Sequence, residues 1–414
     1  MIIGFDDTDS RNGMCTTYLA AVLIGRLERY ADVDIPLLIR LNPTIKYKTR
    51  GNAAIALNLK TSNPEEVKEI TIQAIEEFSE FEEENTNPGV VFVDKVPEEV
   101  RLFSKRAMRT TLCIDEARDV ISKYGIDHKG YKNQRGLIGA LGAVGATLDD
   151  YTYELIAYRH KNRWGLSREI DEESVWEADS LTYPLTWDTV DVINRSIVFA
   201  PNSKCPVLFG IRGEDESAIY RAFEMIKSEP VERSMLFKTN QGTDSHLIHS
   251  VIGEAIEGSS YVLEGTITDD PHTIEGGHVI FRISDDSGSF DCAAYEPTKN
   301  FREIVRKLRE GDRIVAYGSV KSGTVNLEKI DIERLDERAR FINPKCPGCN
   351  KSMKSAGKGQ GYRCKRCNTH ADEKEAILIS RDLLPGLYEV PPVARRHISK
   401  PLIRGANERV HPSR

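Results

Sequence analysis

Short continuous apolar runs alternate with helical apolar spacings along the first part of the chain. The runs MIIGF, IPLLIRL, AAIALNL and GVVFV predict buried strands. Leu19 and Leu23 follow the first run at the spacing of a helix, and Pro64 stands in the first turn of a second predicted helix. This βαββαβ order, with further helices over residues 98–123, predicts an α/β domain over residues 1–150.

The same order of elements recurs in the next hundred residues. The runs YTYELIAYR, RSIVFAP, PVLFGIR and VERSMLFKT predict strands, and the segments EESVWEA and EDESAIYRAFEMIK predict helices. This second βαββαβ pattern is typical of a ferredoxin-like domain, which we place at residues 151–250.

From about residue 260 the pattern changes to short alternating strands separated by Gly and Asp turns. These strands, interrupted by one helical segment, NFREIVRKL, predict a Greek-key barrel of the OB type over residues 251–336. OB barrels bind single-stranded nucleic acid by stacking bases on aromatic side chains. Strand alternation places about half of the aromatic candidates in the core, and a barrel that serves only as a spacer is the alternative. The candidates are Tyr261, Phe281, Phe290 and Tyr295.

The charge of the chain is unevenly distributed. The net charge is −7, yet residues 338–370 carry Lys and Arg without any Asp or Glu. A basic segment on an acidic protein indicates a binding surface for a polyanion such as RNA. The alternative is a basic surface that serves solubility alone. We expect residues 376–414 to form a basic tail that is disordered from about residue 384 until RNA binds.

Apolar content and cysteine placement indicate the compartment. The hydrophobic share is 40%, enough for several cores, but no run approaches the ~20 residues of a membrane span and no signal segment opens the chain. Cys15, Cys113, Cys205 and Cys292 are scattered singly, unlike a secreted disulfide framework. We expect a cytoplasmic protein without a membrane partner.

The most specific motif is a pair of C-x-x-C sequences, Cys346–Cys349 and Cys364–Cys367. Four thiolates at this spacing fit tetrahedral Zn²⁺, and because they close the site the zinc is structural. We predict a zinc ribbon over residues 337–375 that needs the metal to fold. The basic side chains that it would present to RNA phosphates are Lys351, Lys354, Lys358, Arg363, Lys365 and Arg366.

Groups that fit phosphate chemistry lie close together in the first domain. They are Asp6, Asp7, Asp9, Thr16, Thr17, Lys48 and Arg50. Mg²⁺ takes one or two carboxylates plus phosphate oxygens, and nearby cations absorb the remaining phosphate charge. The arrangement indicates phosphoryl or nucleotidyl transfer. A solvated acidic turn, a solvated basic hairpin and threonines that only cap a helix are the alternatives.

Two further segments are candidates for substrate contact. Gly136, Gly139 and Gly142 recur every third residue, which permits close approach of the backbone to another element or to phosphates. The polar loop TNQGTDSHL, between the second and third domains, is either a substrate site or a plain linker. It offers Asn240, Gln241 and Asp244.

The order of motifs resembles one known family over nearly the whole chain. The segments GFDDTDS…GMCTTYL, RLNPTIKYKTRGNAA, RGLIGALGA and TNQGTDSHL, then a barrel and a four-cysteine ribbon, are similar to the archaeal tRNA-isoleucine 2-agmatinylcytidine (agmatidine) synthetases. The resemblance implies a multidomain α+β fold with a kinase-like α/β N-terminal domain, a ferredoxin-like domain, an OB-fold β-barrel and a C-terminal zinc ribbon.

The resemblance also implies an activity and its partners. It implies an ATP-dependent ligase that joins agmatine to the 2-carbonyl carbon of the wobble cytidine in the CAU anticodon of an isoleucine tRNA, through a phosphorylated cytidine. ATP, Mg²⁺ and a structural Zn²⁺ are the expected cofactors. A non-enzymatic RNA-binding protein and an ATP-dependent RNA-modifying ligase for another amine are the alternatives.

The implied roles of the candidate residues follow the same resemblance. The aspartates would hold magnesium, and one of the two threonines would be autophosphorylated, with Thr17 favoured over Thr16. Lys48, Arg50 and the three glycines would bind ATP or its phosphates. Asn240, Gln241 and Asp244 would meet cytidine or agmatine.

Overall fold

The computed structural model describes residues 1–49, 51–405 and 409–414. Its first part contains the predicted order of strands and helices, with two short and partly exposed additions, β2 and β6, that no apolar run marks. The elements are β1 (Ile2–Asp6), α1 (Thr16–Leu27), β2 (Ala31–Val33), β3 (Leu37–Arg40), β4 (Ala53–Thr61), α2 (Pro64–Phe78), β5 (Gly89–Val93), α3 (Glu98–Arg109), α4 (Ile114–Tyr124), β6 (Asp127–Gly130) and α5 (Gly136–Val144).

The second part departs from the predicted pattern at one strand. The predicted strand RSIVFAP is reduced to β10, which pairs only with β9, and β8 takes the edge of the main sheet beside β11 instead. The elements are β7 (Thr152–Arg159), α6 (Glu172–Thr182), β8 (Thr186–Trp187), β9 (Val190–Asp191), β10 (Ser196–Ile197), β11 (Val207–Gly213), α7 (Glu216–Met225), β12 (Val231–Thr239) and β13 (Leu247–His249). The Asp191 carboxylate accepts from the backbone and side chain of Asn194 and so closes the tight β9–β10 hairpin.

One sheet runs through both of these parts. Its order is β6-β5-β1-β4-β3-β12-β7-β11-β8, with β2 on β4, and β3 pairs in parallel with β12 where Leu38 meets Thr239. Helices α1 and α2 cover one face of the first part and α3 to α5 cover the other, each over its own apolar core. The predicted boundary between the first domain (1–150) and the second (151–250) therefore falls within a continuous sheet. The boundary stays a prediction.

The barrel prediction is confirmed. Strand β14 pairs with β15 and β17, β16 pairs with β15 and β18, and β17 pairs with β18, so five strands close into a barrel. Tyr261 and Phe281 lie in its core, whereas Phe290 and Tyr295 are half-buried. The elements are β14 (Ser260–Thr273), β15 (Val279–Asp285), β16 (Gly288–Ala294), α8 (Phe301–Arg306), β17 (Arg313–Lys321) and β18 (Thr324–Arg334).

Seven short strands follow the barrel. They are β19 (Ala339–Ile342), β20 (Lys354–Ser355), β21 (Tyr362–Arg363), β22 (His370–Ala371), β23 (Glu375–Leu378), β24 (Gly386–Glu389) and β25 (Val410–His411). Strands β20 to β22 form the small sheet of the ribbon, and β19 pairs with β23 at its base. Among the described residues, no helix is long and apolar enough to cross a bilayer.

The expectation of a disordered tail is wrong. Strand β24 adds to β18 of the barrel, and Ile398 and Leu402 are buried. We call residues 390–405 the C-terminal strap. Its cations face acids of the second part and of the barrel rather than solvent, which is why they order the segment. The pairs are Arg395 with Asp188 and Glu389, Arg396 with Glu328, Lys400 with Asp150, and Arg404 with Asp150 and Glu214.

Candidate active site

The aspartate cluster is built where strand β1 ends under helix α5. A β-carbon on Gly139 would overlap the Asp6 carboxylate, so the glycine admits that side chain. Asp7 follows with φ of +58°, which turns the chain away from the sheet. Backbone in this region is uncommon for residues other than glycine, and Asp is among the residues that tolerate it. The turn sets Asp6, Asp7 and Asp9 side by side along one cavity.

The electrostatics of the cluster favour a bound cation. Burial, followed by the Asp7 charge, raises the pKa of Asp6 well above its usual range. Burial also raises the pKa of Asp7 to about 7, although Arg135 opposes it with 2.8 Å between its Nη2 and the Asp7 Oδ2. Carboxylates that repel one another in a buried site gain most from a divalent ion, and oxygen ligands suit Mg²⁺. The residues present therefore fit magnesium.

The first cavity has about 360 Å³ and a lining of two chemical kinds. Its charged side chains are the three aspartates, Lys48 and Arg135. Its apolar side chains are Leu41, Ile45, Tyr47, Leu112, Ile114 and Ile138, and the Arg135 guanidinium lies over the Tyr47 ring at 5.4 Å. A lining that is part apolar and part charged suits a nucleotide, with the base against the apolar side chains and the phosphates at the charges.

Lys48 lies in this cavity as predicted. Its ammonium donates to the Pro43 carbonyl, and burial, followed by Arg396 and Lys321, lowers its pKa. The companion residue Arg50 lies outside the described residues. Arg135 is a cation that the sequence reasoning missed. The sequence feature that could have identified it is its position directly before the glycine-rich helix α5.

The two threonines lie at the start of α1, but neither is its cap, because the cap position belongs to Cys15. The Thr8 hydroxyl donates to Thr16 Oγ1 over 3.1 Å, and Thr17 Oγ1 lies 3.2 Å from Cys15 Sγ. Both threonines line a second cavity of about 420 Å³. The two cavities share Asp9, so the aspartate cluster opens towards both.

Most of one wall of the second cavity was not predicted. Glu154 is buried there between two guanidinium groups, with 3.1 Å from its Oε1 to Arg212 Nε and 3.6 Å from its Oε2 to Arg40 Nη2. His397 of the strap completes the wall. Arg40 begins the segment RLNPTIKYKTRGNAA, whereas Glu154, Arg212 and His397 come from three distant segments and no local motif announces them.

The three predicted substrate residues of the loop after β12 do not line either cavity within the described part of the chain. Asn240 exchanges hydrogen bonds with the backbone of Arg40, and Gln241 donates to Glu154. Asp244 pairs with Lys329 and accepts from the Lys400 backbone. The sequence left a substrate site and a plain linker as alternatives for this loop, and its polar groups join the sheet, the barrel and the strap. A direct substrate role of these residues stays a prediction.

Two of the three predicted nucleotide-binding glycines serve packing instead. A β-carbon on Gly136 would overlap the backbone of Gly89, and one on Gly142 would come within 3.1 Å of Leu41 and 3.3 Å of Ala107. Only Gly139 of the three lines the first cavity.

The four ribbon cysteines converge as the spacing predicts. The sulfur atoms of Cys346, Cys349, Cys364 and Cys367 lie within 4.8 Å of one another, which fits four Zn–S bonds of about 2.3 Å. The six predicted basic side chains of the ribbon are all exposed. The ribbon therefore presents positive charge outward around a closed metal site.

Comparison with known proteins covers all of these parts. Family models match residues 2–133 (TiaS TCKD domain), 134–246 (TiaS FLD domain), 258–330 (OB-fold nucleic acid binding domain) and 343–383 (TiaS C-terminal zinc ribbon domain). They confirm the multidomain fold class, with its barrel and zinc ribbon.

Full-length relatives and solved structures agree. A tRNA(Ile2) 2-agmatinylcytidine synthetase TiaS of Methanosarcina mazei is 54% identical over 428 residues, covering 100% of both chains. A crystal structure of apo TiaS is 50% identical with a TM-score of 0.92, covering 100% of this chain and 99% of that one. A TiaS–tRNA(Ile2)–AMPCPP–agmatine complex is 48% identical with a TM-score of 0.89 and the same coverage.

Proposed function

The chain belongs to the TiaS family of tRNA(Ile2) 2-agmatinylcytidine synthetases, and from this membership we propose that it is the ATP-dependent ligase that makes agmatidine. It joins agmatine to the 2-carbonyl carbon of the wobble cytidine in an isoleucine tRNA with a CAU anticodon. The observation that carries the proposal is the junction of two cavities at Asp9, one shaped for a nucleotide and the other reached by Thr16 and Thr17.

The first cavity binds ATP in this proposal. The base packs against apolar side chains of the lining, and Lys48 and Arg135 neutralise phosphate charge. Asp6, Asp7 and Asp9 would hold Mg²⁺, which supplies charge neutralisation and orientation for the transferred phosphate. Arg135 positions Asp7 through the 2.8 Å ion pair, so the carboxylate presents its other oxygen to the cation.

Activation of the cytosine carbonyl follows at the junction. A carbonyl oxygen is a poor leaving group, so O2 of the cytidine first accepts a phosphoryl group from ATP. The primary amine of agmatine then attacks C2, the C2–O2 bond breaks, and phosphate leaves with the oxygen. Asp9, which faces both cavities, is suited to accept the proton that the amine releases.

The remaining domains hold the RNA. The target base must leave its stack to reach a cavity between α1, β7 and β11, so the rest of the tRNA needs a separate grip. The exposed cations of the ribbon and the half-buried Phe290 and Tyr295 of the barrel are the residues that we assign to this grip. Because its substrate is a tRNA, we infer that the protein works in the cytoplasm.

One reaction tests the proposal. The purified chain is incubated with Mg²⁺-ATP, labelled agmatine and a transcript of the isoleucine tRNA with a CAU anticodon, and label on the RNA is counted. Transfer that needs ATP and disappears when the wobble cytidine is replaced by uridine supports the ligase. Transfer of labelled putrescine but not agmatine would support a ligase for another amine, and tRNA binding without any transfer would contradict the proposal.

A further inference from the structure

One corner of the second cavity is not explained by the roles assigned above. The strap brings His397 into the wall of this cavity and into a smaller adjoining cavity of about 300 Å³ that also contains Lys48. Gly51 lines both cavities, and a β-carbon on it would lie 2.6 Å from Arg40 Nη1 and 3.4 Å from His397 Cδ2. The imidazole and the Arg40 guanidinium therefore face the same small space.

The corner carries more positive than negative charge. Glu154 is shared by Arg40 and Arg212 and also accepts from Gln241, so one carboxylate faces two guanidinium groups. Asp188 lies 3.8 Å from Arg212 Nη1 but is already paired with Arg395. The Arg40 Nε is buried without a hydrogen-bond partner among the described residues. A buried donor without a partner costs free energy unless a ligand satisfies it.

The histidine responds to this excess of cations. The Arg212 charge, followed by desolvation in the cleft and the charges of Arg40 and Lys48, holds the pKa of His397 well below its usual range. Its side chain is nonetheless open to the cavity space. A neutral imidazole beside guanidinium groups can donate one hydrogen bond to an anion without adding a further charge of its own.

The backbone of His397 is held by two contacts, one at its own carbonyl and one at the preceding residue. The Gly242 amide donates to its carbonyl over 2.8 Å, and the neighbouring Arg396 pairs with Glu328 of the barrel at 3.0 Å. The loop that was predicted to bind substrate therefore holds the strap segment that enters the cavity. A group held in this way loses little entropy when a ligand arrives.

We propose that His397, Arg40 and Arg212 form a phosphate-binding corner, which holds a substrate phosphate beside Thr16 and Thr17. The proposal rests on the proposed function, which brings two phosphate-bearing substrates to the site. The phosphate belongs either to the RNA backbone next to the target cytidine or to the nucleotide. Agmatine is a dication, and the excess of guanidinium charge disfavours it here.

Steady-state kinetics of agmatine transfer separate the two sources. His397→Phe keeps the ring size and removes the donor, and His397→Gln keeps an N–H donor. Loss of a hydrogen bond to a charged group corresponds to roughly a tenfold to hundredfold weaker interaction. We expect His397→Phe to raise the KM for tRNA if the phosphate is in the RNA, or the KM for ATP if it is in the nucleotide, and His397→Gln to recover part of the loss.

The matched control is His411→Phe. His411 also lies near the end of the chain but stacks on Tyr388 at 4.1 Å, an arrangement that a phenyl ring keeps. We expect both KM values of this variant to equal those of the unchanged protein. If His397→Phe leaves both KM values unchanged, or lowers kcat alone, the phosphate-binding corner is wrong.

A binding measurement keeps the inference testable if no transfer is found. The imidazole Cε1–H resonance of His397, identified by its loss in His397→Phe, is followed by NMR during titration with cytidine 5′-monophosphate and with inorganic phosphate. A saturable shift supports the corner independently of the ligase activity. A resonance that neither anion moves would overturn it.

Discussion

Asp6 and Gly139 depend on each other at the scale of single residues. The carboxylate fills the space that any side chain at position 139 would need. Sequence reasoning proposed both residues but gave them separate roles, metal ligand and nucleotide contact. The structure joins them, because the glycine allows the helix to pass over the carboxylate.

Gly139→Ala is expected to weaken Mg²⁺-ATP binding. The added methyl group must displace the Asp6 carboxylate, which moves a proposed metal ligand. Gly25→Ala is the matched control, since Gly25 lies in α1 with open space around it, and that change should stabilise the protein by about 0.5–1 kcal/mol. Isothermal titration with Mg²⁺-ATP and thermal denaturation of both variants check this. Equal affinities would contradict the pairing of Asp6 with Gly139.

Asp7→Asn is expected to change how stability depends on pH. The folded pKa of Asp7 is about 7, above its usual 3.8, so the folded metal-free protein binds more protons between these values. Its stability must fall as pH rises through that window, by about 4 kcal/mol at most. The asparagine side chain has no proton to lose, so the variant should not show this fall in stability. Mg²⁺ should raise stability at high pH in the unchanged protein but not in the variant. Thermal denaturation from pH 4 to pH 8 with and without Mg²⁺ checks the prediction, and parallel profiles would contradict it.

Thr17→Val is expected to abolish autophosphorylation, whereas Thr16→Val should retain it. Thr16 Oγ1 accepts from Thr8 over 3.1 Å, Thr17 Oγ1 lies 3.2 Å from Cys15 Sγ, and both residues line the second cavity, so the choice of Thr17 rests on the family resemblance. The measurement is label from γ-labelled ATP on each valine variant, located by peptide mass spectrometry. Label that survives in Thr17→Val and disappears in Thr16→Val would reverse the assignment.

The zinc ribbon illustrates prediction at the scale of elements. Its ligand spacing is a local signal, and the four sulfur atoms converge as expected. Strand β10, in contrast, was predicted as part of the main sheet, but the tight β9–β10 hairpin removes it. Apolar runs show which residues are buried, whereas they do not show which neighbour a strand will pair with.

Cys346→Ser with Cys364→Ser is expected to unfold the ribbon and leave the barrel intact. Among the described residues of the ribbon, the buried apolar cluster consists of Cys346, Met353 and Cys364, so metal supplies the folding free energy. Affinity for tRNA should fall, and the slope of log affinity against log salt should decrease by about 0.7–0.9 for each RNA phosphate that the ribbon no longer neutralises. Filter binding at several salt concentrations checks this. An unchanged slope would show that the ribbon cations do not touch RNA.

The strap determines how the parts hold together at the scale of the whole molecule. Charge counting correctly found its cations but assigned them to RNA. Two of the acids that neutralise them, Asp150 and Asp188, lie more than 200 residues earlier in the chain, and the set follows no shared pattern. The sequence thus predicted the aspartate cluster, whose members are close together in the chain, but not Glu154, Arg212 and His397 of the cavity wall, which lie far apart in the chain.

Arg395→Met is expected to destabilise the protein by about 3–5 kcal/mol, because it leaves Glu389 buried without its cation and Asp188 with only the more distant Arg212, 3.8 Å away. Arg409→Met is the matched control. Its guanidinium is about half exposed and lies 3.8 Å from Asp331, so its loss should cost within about 1 kcal/mol. Denaturant unfolding of both variants checks the difference, and similar losses would show that burial of the Arg395 pair does not matter.

Strap residues between Pro392 and His397 form part of the wall of the second cavity, and this limits how the protein can be divided into fragments. A fragment that ends before these residues keeps every strand of the main sheet and all three aspartates, yet it leaves one wall of the reaction chamber open to water. The catalytic half is therefore not a transplantable module. During synthesis, too, a nascent chain completes this wall only after the barrel and ribbon have been made, so the chamber closes only in a molecule that already carries its RNA-binding parts.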